Sequence, residues 1–258
     1  MDDSNKIIGC FCTELYSADT FKDHFKAYES YVEKLGYDGA CYTFLPKIQV
    51  ENIPLVQPIF EFTKNYPVAF LEHYAKEQLH NHDFTIRKGK ENCSFDPMDW
   101  REHELSGTLT DDEIGLIQLA KNEYGIINAY TIPTQVSDVI LAGATVISSL
   151  SDNDFQKLKK ETLTTLDIIT KLFHDKCYAS SCLVPIFSQP LLGKLNPTEL
   201  KTLRLLADGI PTKQLSDQLD VTEQSAKNII SNLCKKLGSI NRDQLFFLVG
   251  RVNLLHLG

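Results

Sequence analysis

The chain has 258 residues, 43% of them apolar and 23% charged, which fits an ordinary soluble globular protein of one large or two small domains and excludes a fibrous or disordered chain. No apolar run approaches the roughly 18 residues of a membrane span, and the acidic start Met1–Lys6, with no apolar stretch behind it, excludes a secretory leader, so the expected compartment is the cytoplasm. The net charge of −8 is uneven: nine Lys/Arg against six acids leave +3 from Leu192 onward and −11 before it, as expected for a small nucleic-acid-binding module carried by a larger domain with another task.

In chain order, Phe25, Tyr28, Tyr31 and Val32 recur at helical spacing and predict a helix over Phe21–Leu35, stopped by Gly36. Gly39–Phe44 reads as a strand and Ala69–Leu79 as a short helix. Thr110 and Glu113 form a capping box that opens a helix to about Tyr124, ended by Gly125. Ala129–Thr134 and Val139–Ser148 read as strands that pair antiparallel. Ser151 is an N-cap, followed by Asp152 and Asp154 in the first turn, and apolar residues from Phe155 to Phe173 extend a long helix to about Tyr178. That helix can pack on its own domain, and part of its face can also form a dimer seam. Helices on either side of a strand meander predict an α/β/α sandwich with an antiparallel sheet and an internal cavity.

Residues 179–191 hold two prolines and three serines, which break any helical period and mark a linker between domains at 1–178 and 192–258. Beyond it four short helices are punctuated clearly. Asn196 is an N-cap with Pro197 at N1 and Glu199 at N3, and Gly209 ends that helix. Thr212 caps a second helix to Leu219, and Asp220-Val221 turns tightly. Thr222 caps a third helix to about Leu237, with Ala226, Ile229, Ile230, Leu233 and Leu237 inward. Two short helices joined by a brief turn, the second polar on its outer face, form a helix-turn-helix. The outer face carries Gln224, Ser225, Lys227, Asn228, Ser231, Asn232, Lys235 and Lys236, groups that donate to phosphates and base edges. The last segment, Gln244–Leu255, is more apolar than one helix face requires, which marks a partner surface. The fold class is therefore α+β, a sandwich followed by an all-α four-helix domain.

The run from Leu195-Asn-Pro-Thr-Glu199 through Leu206-Ala-Asp-Gly209, Thr212-Lys213, Val221-Thr222, Ala226-Lys227, Leu237-Gly238 and Asn241-Arg242 strongly resembles the DNA-binding domain of LuxR-type regulators over about 60 residues. The resemblance implies that Thr212, Lys213, Thr222, Gln224 and Lys227 contact phosphates or bases and that Asn228 and Ser231 face the major groove. Ile229 stands where the family often has His. The resemblance also implies a homodimer joined through the last helix, and hence a near-palindromic site on double-stranded DNA.

The first domain resembles the autoinducer-binding domain of the same family, through Tyr66-Pro-Val-Ala-Phe70-Leu-Glu-His-Tyr74, Asp83, Trp100 and Gly125-Ile-Ile-Asn-Ala129-Tyr-Thr-Ile-Pro133. In acyl-homoserine-lactone receptors a Trp indole holds the lactone carbonyl, a Tyr hydroxyl the acyl carbonyl and an Asp carboxylate the amide N–H. Tyr74 and Asp83 keep two of these groups, while Phe70 stands at the Trp position and has no N–H. Phe84 replaces the Pro after the Asp, and Ala129 replaces a Gly; Thr145 completes the candidate ligand set of Tyr66, Phe70, Tyr74, Asp83, Phe84, Trp100 and Ala129. The implied protein is an orphan quorum-sensing receptor with an atypical pocket, regulating transcription in response to a small molecule other than the standard lactone. Alternatives are a ligand-independent transcription factor whose first domain only dimerises, and an inhibitory partner that forms mixed dimers with a related regulator.

Catalysis and resident cofactors are not expected. His80-Asn-His82-Asp83 lacks a second ligand pair, Cys10 and Cys12 are too closely spaced for zinc, and no phosphate loop or nucleophile elbow is present. The seven cysteines, odd in number and scattered, read as reduced thiols.

Overall fold

In the computed structural model, which describes residues 2–46, 59–91, 96–137, 140–180, 182–183, 186, 192–237 and 241–251, the first unit spans Met1–Leu45 and Ile59–Ala179. It runs α1 (Asp2–Ser17), α2 (Phe21–Lys34), β1 (Gly39–Pro46), β2 (Ile59–Phe62), α3 (Val68–Lys76), a 3-10 turn at Leu79–Asn81, α4 (Phe84–Glu91), β3 (Met98–Asp99), α5 (Trp100–Leu105), α6 (Asp111–Tyr124), β4 (Asn128–Val136), β5 (Ile140–Ser148) and α7 (Asp152–Ala179). The five strands form one sheet in the order β2-β1-β5-β4-β3, with the β1–β2, β3–β4 and β4–β5 pairs antiparallel. Helices α1, α2 and α7 stack on one side, and α3 to α6 lie on the other, as the predicted sandwich requires.

On the α7 side the core is aromatic. Tyr28 stacks on Phe173 at 5.0 Å, and Tyr42 meets the same ring edge-on at 5.0 Å, an arrangement that adds directional attraction to simple burial. The Tyr28 hydroxyl is satisfied by Thr170 Oγ1 at 3.0 Å. Lower on the sheet the buried Lys159 pairs with Asp99, and with Glu102 at 3.1 Å. Asp99 also accepts from the backbone of Arg101 and Glu102 as the N-cap of α5, so one carboxylate holds α5 both to its own first turn and to α7.

The β4–β5 ladder breaks register between Pro133 and Gln135. Proline has no N–H for the ladder and is tolerated at such a bulge. Opposite it sits Gly143, where a Cβ would approach Ile132 O to 2.8 Å. Only glycine fits that close backbone approach.

The capping residues read from sequence form as expected: Thr110–Glu113 is a reciprocal box, Gly125 ends α6 at φ 70°, and Ser151 Oγ accepts from Asp154 N. The N-terminal segment differs from its reading as a polar start. It folds as α1, because Phe11 and Leu15, one turn apart, are fully buried, and Tyr31 fixes it with an edge contact to Phe11 and a hydrogen bond to Glu14. The segment 179–191 lies mostly outside the described residues.

The second unit holds Ser180–Gly258, with α8 (Pro197–Ala207), α9 (Thr212–Leu219), α10 (Glu223–Lys236) and α11 (Arg242–Arg251) around Leu203, Leu206, Leu215, Ala226, Leu233, Leu237 and Leu245. Asn196 and Glu199 form a capping box on α8. Glu199 also pairs with Lys236 at 2.7 Å, tying α8 to the end of α10. Three positions correct the sequence reading. Thr212 is the first residue of α9, not its cap, since the N-cap is Pro211, which offers no side-chain acceptor. Cys234 is buried where Ile229 is only half-buried, because a 3.6-residue period carries the buried stripe from Ile230 to Cys234. Lys236 is engaged by Glu199 and by Lys194 O instead of standing free on the outer face.

His174 on α7 gives a test of this packing. Its Nε2 donates to Gln135 Oε1 at 3.1 Å, so its Nδ1 accepts from the Tyr42 hydroxyl at 2.7 Å. Burial holds the imidazole neutral by pushing its pKa from 6.5 down to about 4. The unfolded chain therefore binds the proton first, and stability falls as pH drops from 6.5 toward 4, by about 3 kcal/mol in all. Urea midpoints followed through Trp100, the one tryptophan of the chain, should show this slope. His174→Asn, although less stable throughout, should flatten it.

Candidate functional site

A cavity of about 80 Å³, partly open to solvent, lies between the sheet and helices α3 and α4. Six of the eight residues expected there line it: Tyr66, Phe70, Tyr74, Asp83, Trp100 and Thr145. Phe70 and Tyr74 come from successive turns of α3, which points both rings to one side. Phe84 and Ala129 stand behind the wall. Phe84 packs its ring against Trp100 at 6.1 Å and His103 at 5.1 Å, and Ala129 is buried in the same apolar cluster. The methyl of Ala129 and the ring of Phe84 therefore shape the cavity through their neighbours.

The sheet contributes lining residues that the sequence reading did not include: Cys41 and Thr43 from β1, Thr131 and Pro133 from β4, and Gly143 beside Thr145 on β5. Their spacing of two was the available signal, since alternate residues of a strand share a face. Thr85, two residues after Asp83, also lines the wall.

The polar groups fall into three sets. Asp83 precedes α4 and acts on it as a cap: its Oδ1 accepts from Thr85 N at 2.8 Å and Thr85 Oγ1 at 2.6 Å, while its Oδ2 accepts from the Tyr74 hydroxyl at 2.8 Å. A carboxylate offers about four lone-pair sites, so one remains open. Burial, and then the Asp83 charge, push the Tyr74 phenol well above its usual range; it stays a donor. The second set is a relay in which Trp100 Nε1 donates to Thr131 Oγ1 at 2.9 Å, and Thr131 Oγ1 meets Thr145 Oγ1 at 2.8 Å. The only indole of the chain is thus engaged with the protein.

The third is Tyr66, 5% exposed, whose hydroxyl has no hydrogen-bond partner among the described residues. Burial raises its pKa far above the ordinary phenol value, so it too remains a donor. Cys41 nearby is pushed by burial to about 12, which makes it an apolar lining thiol and not a nucleophile.

The second candidate surface is the outer face of α10. Gln224, Lys227, Asn228 and Ser231 are exposed there, and Lys213 is exposed on α9. Thr222 spends its hydroxyl on the helix itself, accepting from Ser225 N at 3.1 Å and meeting Ser225 Oγ at 2.9 Å. Thr212 is half-buried beside Lys213. On α11, Leu245 is buried, Phe246 is half-buried beneath the Arg242 guanidinium and Phe247 is 61% exposed; the side chains of Leu248 and Val249 and residues 252–258 lie outside the described residues.

Comparison with known proteins places each unit. Residues 20–177 match the family described as autoinducer binding domain, and residues 194–249 match the bacterial regulatory proteins of the luxR family. The transcriptional activator protein CarR of Pectobacterium carotovorum subsp. carotovorum is 24% identical over 196 residues, 74% of this chain and 79% of CarR. The crystal structure of Escherichia coli SdiA superposes with a TM-score of 0.54 at 15% identity, covering 96% of this chain and 97% of SdiA. A structure of SdiA in complex with octanoyl-rac-glycerol gives 0.52 at 15% identity, covering 100% and 97%. At this identity the two structures show a shared fold.

The relay behind the cavity can be tested on stability alone. Thr131→Val removes the acceptor of a buried indole N–H, and the stranded donor should cost about 1–3 kcal/mol. Thr131→Ser, which keeps the oxygen, should recover most of the loss in urea unfolding followed by Trp100 fluorescence.

Proposed function

Because the chain belongs to the family of autoinducer-binding, LuxR-type regulators, we propose that its cavity takes a neutral small molecule with an apolar tail, and that α10 docks in the DNA major groove of a homodimer's near-palindromic site. The chain is a DNA-binding transcriptional regulator and not an enzyme. One observation carries the ligand reading: the Tyr66 hydroxyl, without a hydrogen-bond partner among the described residues, and an open lone pair on Asp83 line one cavity. Tyr66 can donate to a ligand carbonyl, and Asp83 can accept from a ligand N–H or O–H. Among the described residues no lysine or arginine lines the cavity, so a carboxylate signal would face Asp83 without a counter-charge.

The lactone carbonyl of an acyl-homoserine lactone would find no indole at position 70, a loss of about 1–3 kcal/mol when that carbonyl is desolvated. An acylglycerol, of the kind bound by SdiA, presents an ester carbonyl for Tyr66 and hydroxyls for Asp83, and has no lactone to satisfy. Ligand at 100 times its dissociation constant adds about 2.7 kcal/mol of stability, so a melting assay decides between them. Octanoyl-rac-glycerol should raise the melting temperature of the protein more than N-octanoyl-homoserine lactone, and Tyr66→Phe should erase the gain. Stronger stabilisation by the lactone would overturn the choice.

The Tyr74–Asp83 bond is complete without a ligand, which favours a second reading in which the domain only dimerises. Native mass spectrometry separates the two: the receptor carries a co-purifying small molecule or takes up octanoyl-rac-glycerol, and the ligand-independent factor does neither. A purely inhibitory partner has no need of the exposed polar face of α10.

Lys227 is exposed on α10, at its flank. Lys227→Ala should weaken DNA binding across all sequences and lower the slope of log affinity against log salt by roughly one unit, with the melting temperature unchanged. Equal affinity and slope in a gel-shift titration would remove Lys227 from the interface.

A further inference from the structure

The buried stripe of α10 runs through Ala226, Ile230, Leu233, Cys234 and Leu237. At about 100° per residue, Asn228 lies almost directly opposite that stripe, with Gln224 and Asn232 within about 45° of the same line. All three are exposed. Spaced four residues apart, they form a stripe of side-chain amides along the part of the helix that projects furthest from its own domain. Lys227 lies about 100° from the stripe, at the flank, where a groove-bound helix meets the phosphate backbone. The N-terminal residues of a recognition helix are the ones that reach base edges, which places Gln224 and Asn228 first. No arginine occurs anywhere in α10, so the usual bidentate partner of guanine is missing from this helix.

The amide pair is also pre-set. Gln224 Nε2 donates to Asn228 Oδ1 at 3.2 Å. This uses one donor and one acceptor between the two side chains. Gln224 Oε1 remains as an acceptor and Asn228 Nδ2 as a donor, side by side on the outer surface. In the major groove adenine presents the matching pattern, an N6 amino donor beside an N7 acceptor, whereas guanine presents two acceptors. Glu223, the acid at the start of α10, lies on the far side of the helix from the stripe and does not compete for the cytosine amino group.

We propose that Gln224 and Asn228 act as a joined amide pair that selects an A·T pair in each half-site of the DNA. This rests on the reading of α10 as the groove-entering helix. It adds which base is chosen and by which atoms.

The test is selection of full-length protein on a random-sequence duplex DNA pool, followed by sequencing, with wild type, Gln224→Ala, Asn228→Ala, Gln224→Arg and Lys227→Ala in parallel. The wild type should enrich a two-fold symmetric motif with a dominant A·T pair in each half. Both alanine variants should lose roughly 5- to 150-fold of the preference at that position and keep the other positions. Gln224→Arg, which replaces the amide with a guanidinium fork, should move the same position from A toward G. Lys227→Ala should lower recovery of all sequences alike and leave the motif unchanged. A motif that neither alanine variant alters, or one with G·C at the position they erase, overturns the amide-pair assignment while leaving α10 as the DNA-binding helix. No enriched motif from protein that melts normally would overturn the DNA reading of α10 itself. All three positions are exposed, and equal melting temperatures confirm that each of the four variants is folded.

Discussion

The alternation of side chains along paired strands is the constraint from which the first unit is built. With β4 and β5 in register at Thr131↔Thr145 and Pro133↔Gly143, every second residue is committed to one side of the sheet. Thr131, Pro133, Gly143 and Thr145 face the cavity, as do Cys41 and Thr43 on β1. Between them Tyr42, Ile132, Ala144 and Val146 are buried to the other side, where Tyr42 meets Phe173 of α7. A one-residue slip would exchange the threonine relay with the aromatic core. The bulge after Pro133 tightens the constraint, since it brings backbone so close to Gly143 that any side chain there would displace the strand.

The two sides differ in how fully they are filled. Facing α7, aromatic rings are in direct contact, and the hydroxyls of Tyr28 and Tyr42 are satisfied by Thr170 and His174. Facing α3 and α4, the strands contribute short side chains at Cys41, Thr43, Thr131, Pro133, Gly143 and Thr145, and longer ones that do meet the helices, Phe60 against Tyr74 and Leu141 against Gly89. The cavity follows from side-chain size: Phe60, Leu141 and the cluster around Phe84 and Trp100 hold the helices at a distance, and the short strand residues between these contacts leave the gap. A ligand tail would add the missing dispersion contacts.

Local signals were readable because they are local. Capping residues and stop glycines bond to a backbone only a few positions away, and Thr110, Gly125, Ser151, Asn196 and Thr222 all end or begin helices as their chemistry dictates. Elements held by a few distant contacts were not readable. Helix α1 has two fully buried anchors, and α4, to which the sequence analysis assigns no element, is begun by Asp83, a residue that the family pattern marks as a ligand group. Thr212 shows the converse error, a capping residue type in a sequence position that the backbone uses as the first turn. In the cavity, Tyr66, Phe70, Tyr74 and Asp83, on or just before α3 and α4, were legible from the family pattern. Of the strand residues Thr145 was named and its neighbours were not, because identifying Thr131 or Gly143 requires knowing which side of the sheet each residue faces, and Pro133 and its bulge shift that parity.

Asp83 shows why such a site can be stable when empty and still respond when filled. Its three accepted hydrogen bonds join the end of α3, through Tyr74, to the first turn of α4, through Thr85, so the carboxylate is already compensated within the protein. Asp83 is half-buried, so what these bonds chiefly secure is the junction of the two helices. Within the cavity the unmet group is Tyr66, a neutral hydroxyl for which a missing partner costs at most about 1–3 kcal/mol, little enough for a folded domain to carry. Binding free energy is then gained where the protein is under-satisfied, at Tyr66, while Asp83 lends one remaining lone pair and keeps its structural bonds. A ligand that reaches both groups touches the junction of α3 and α4 without dismantling it, so the same carboxylate can serve the fold and the signal.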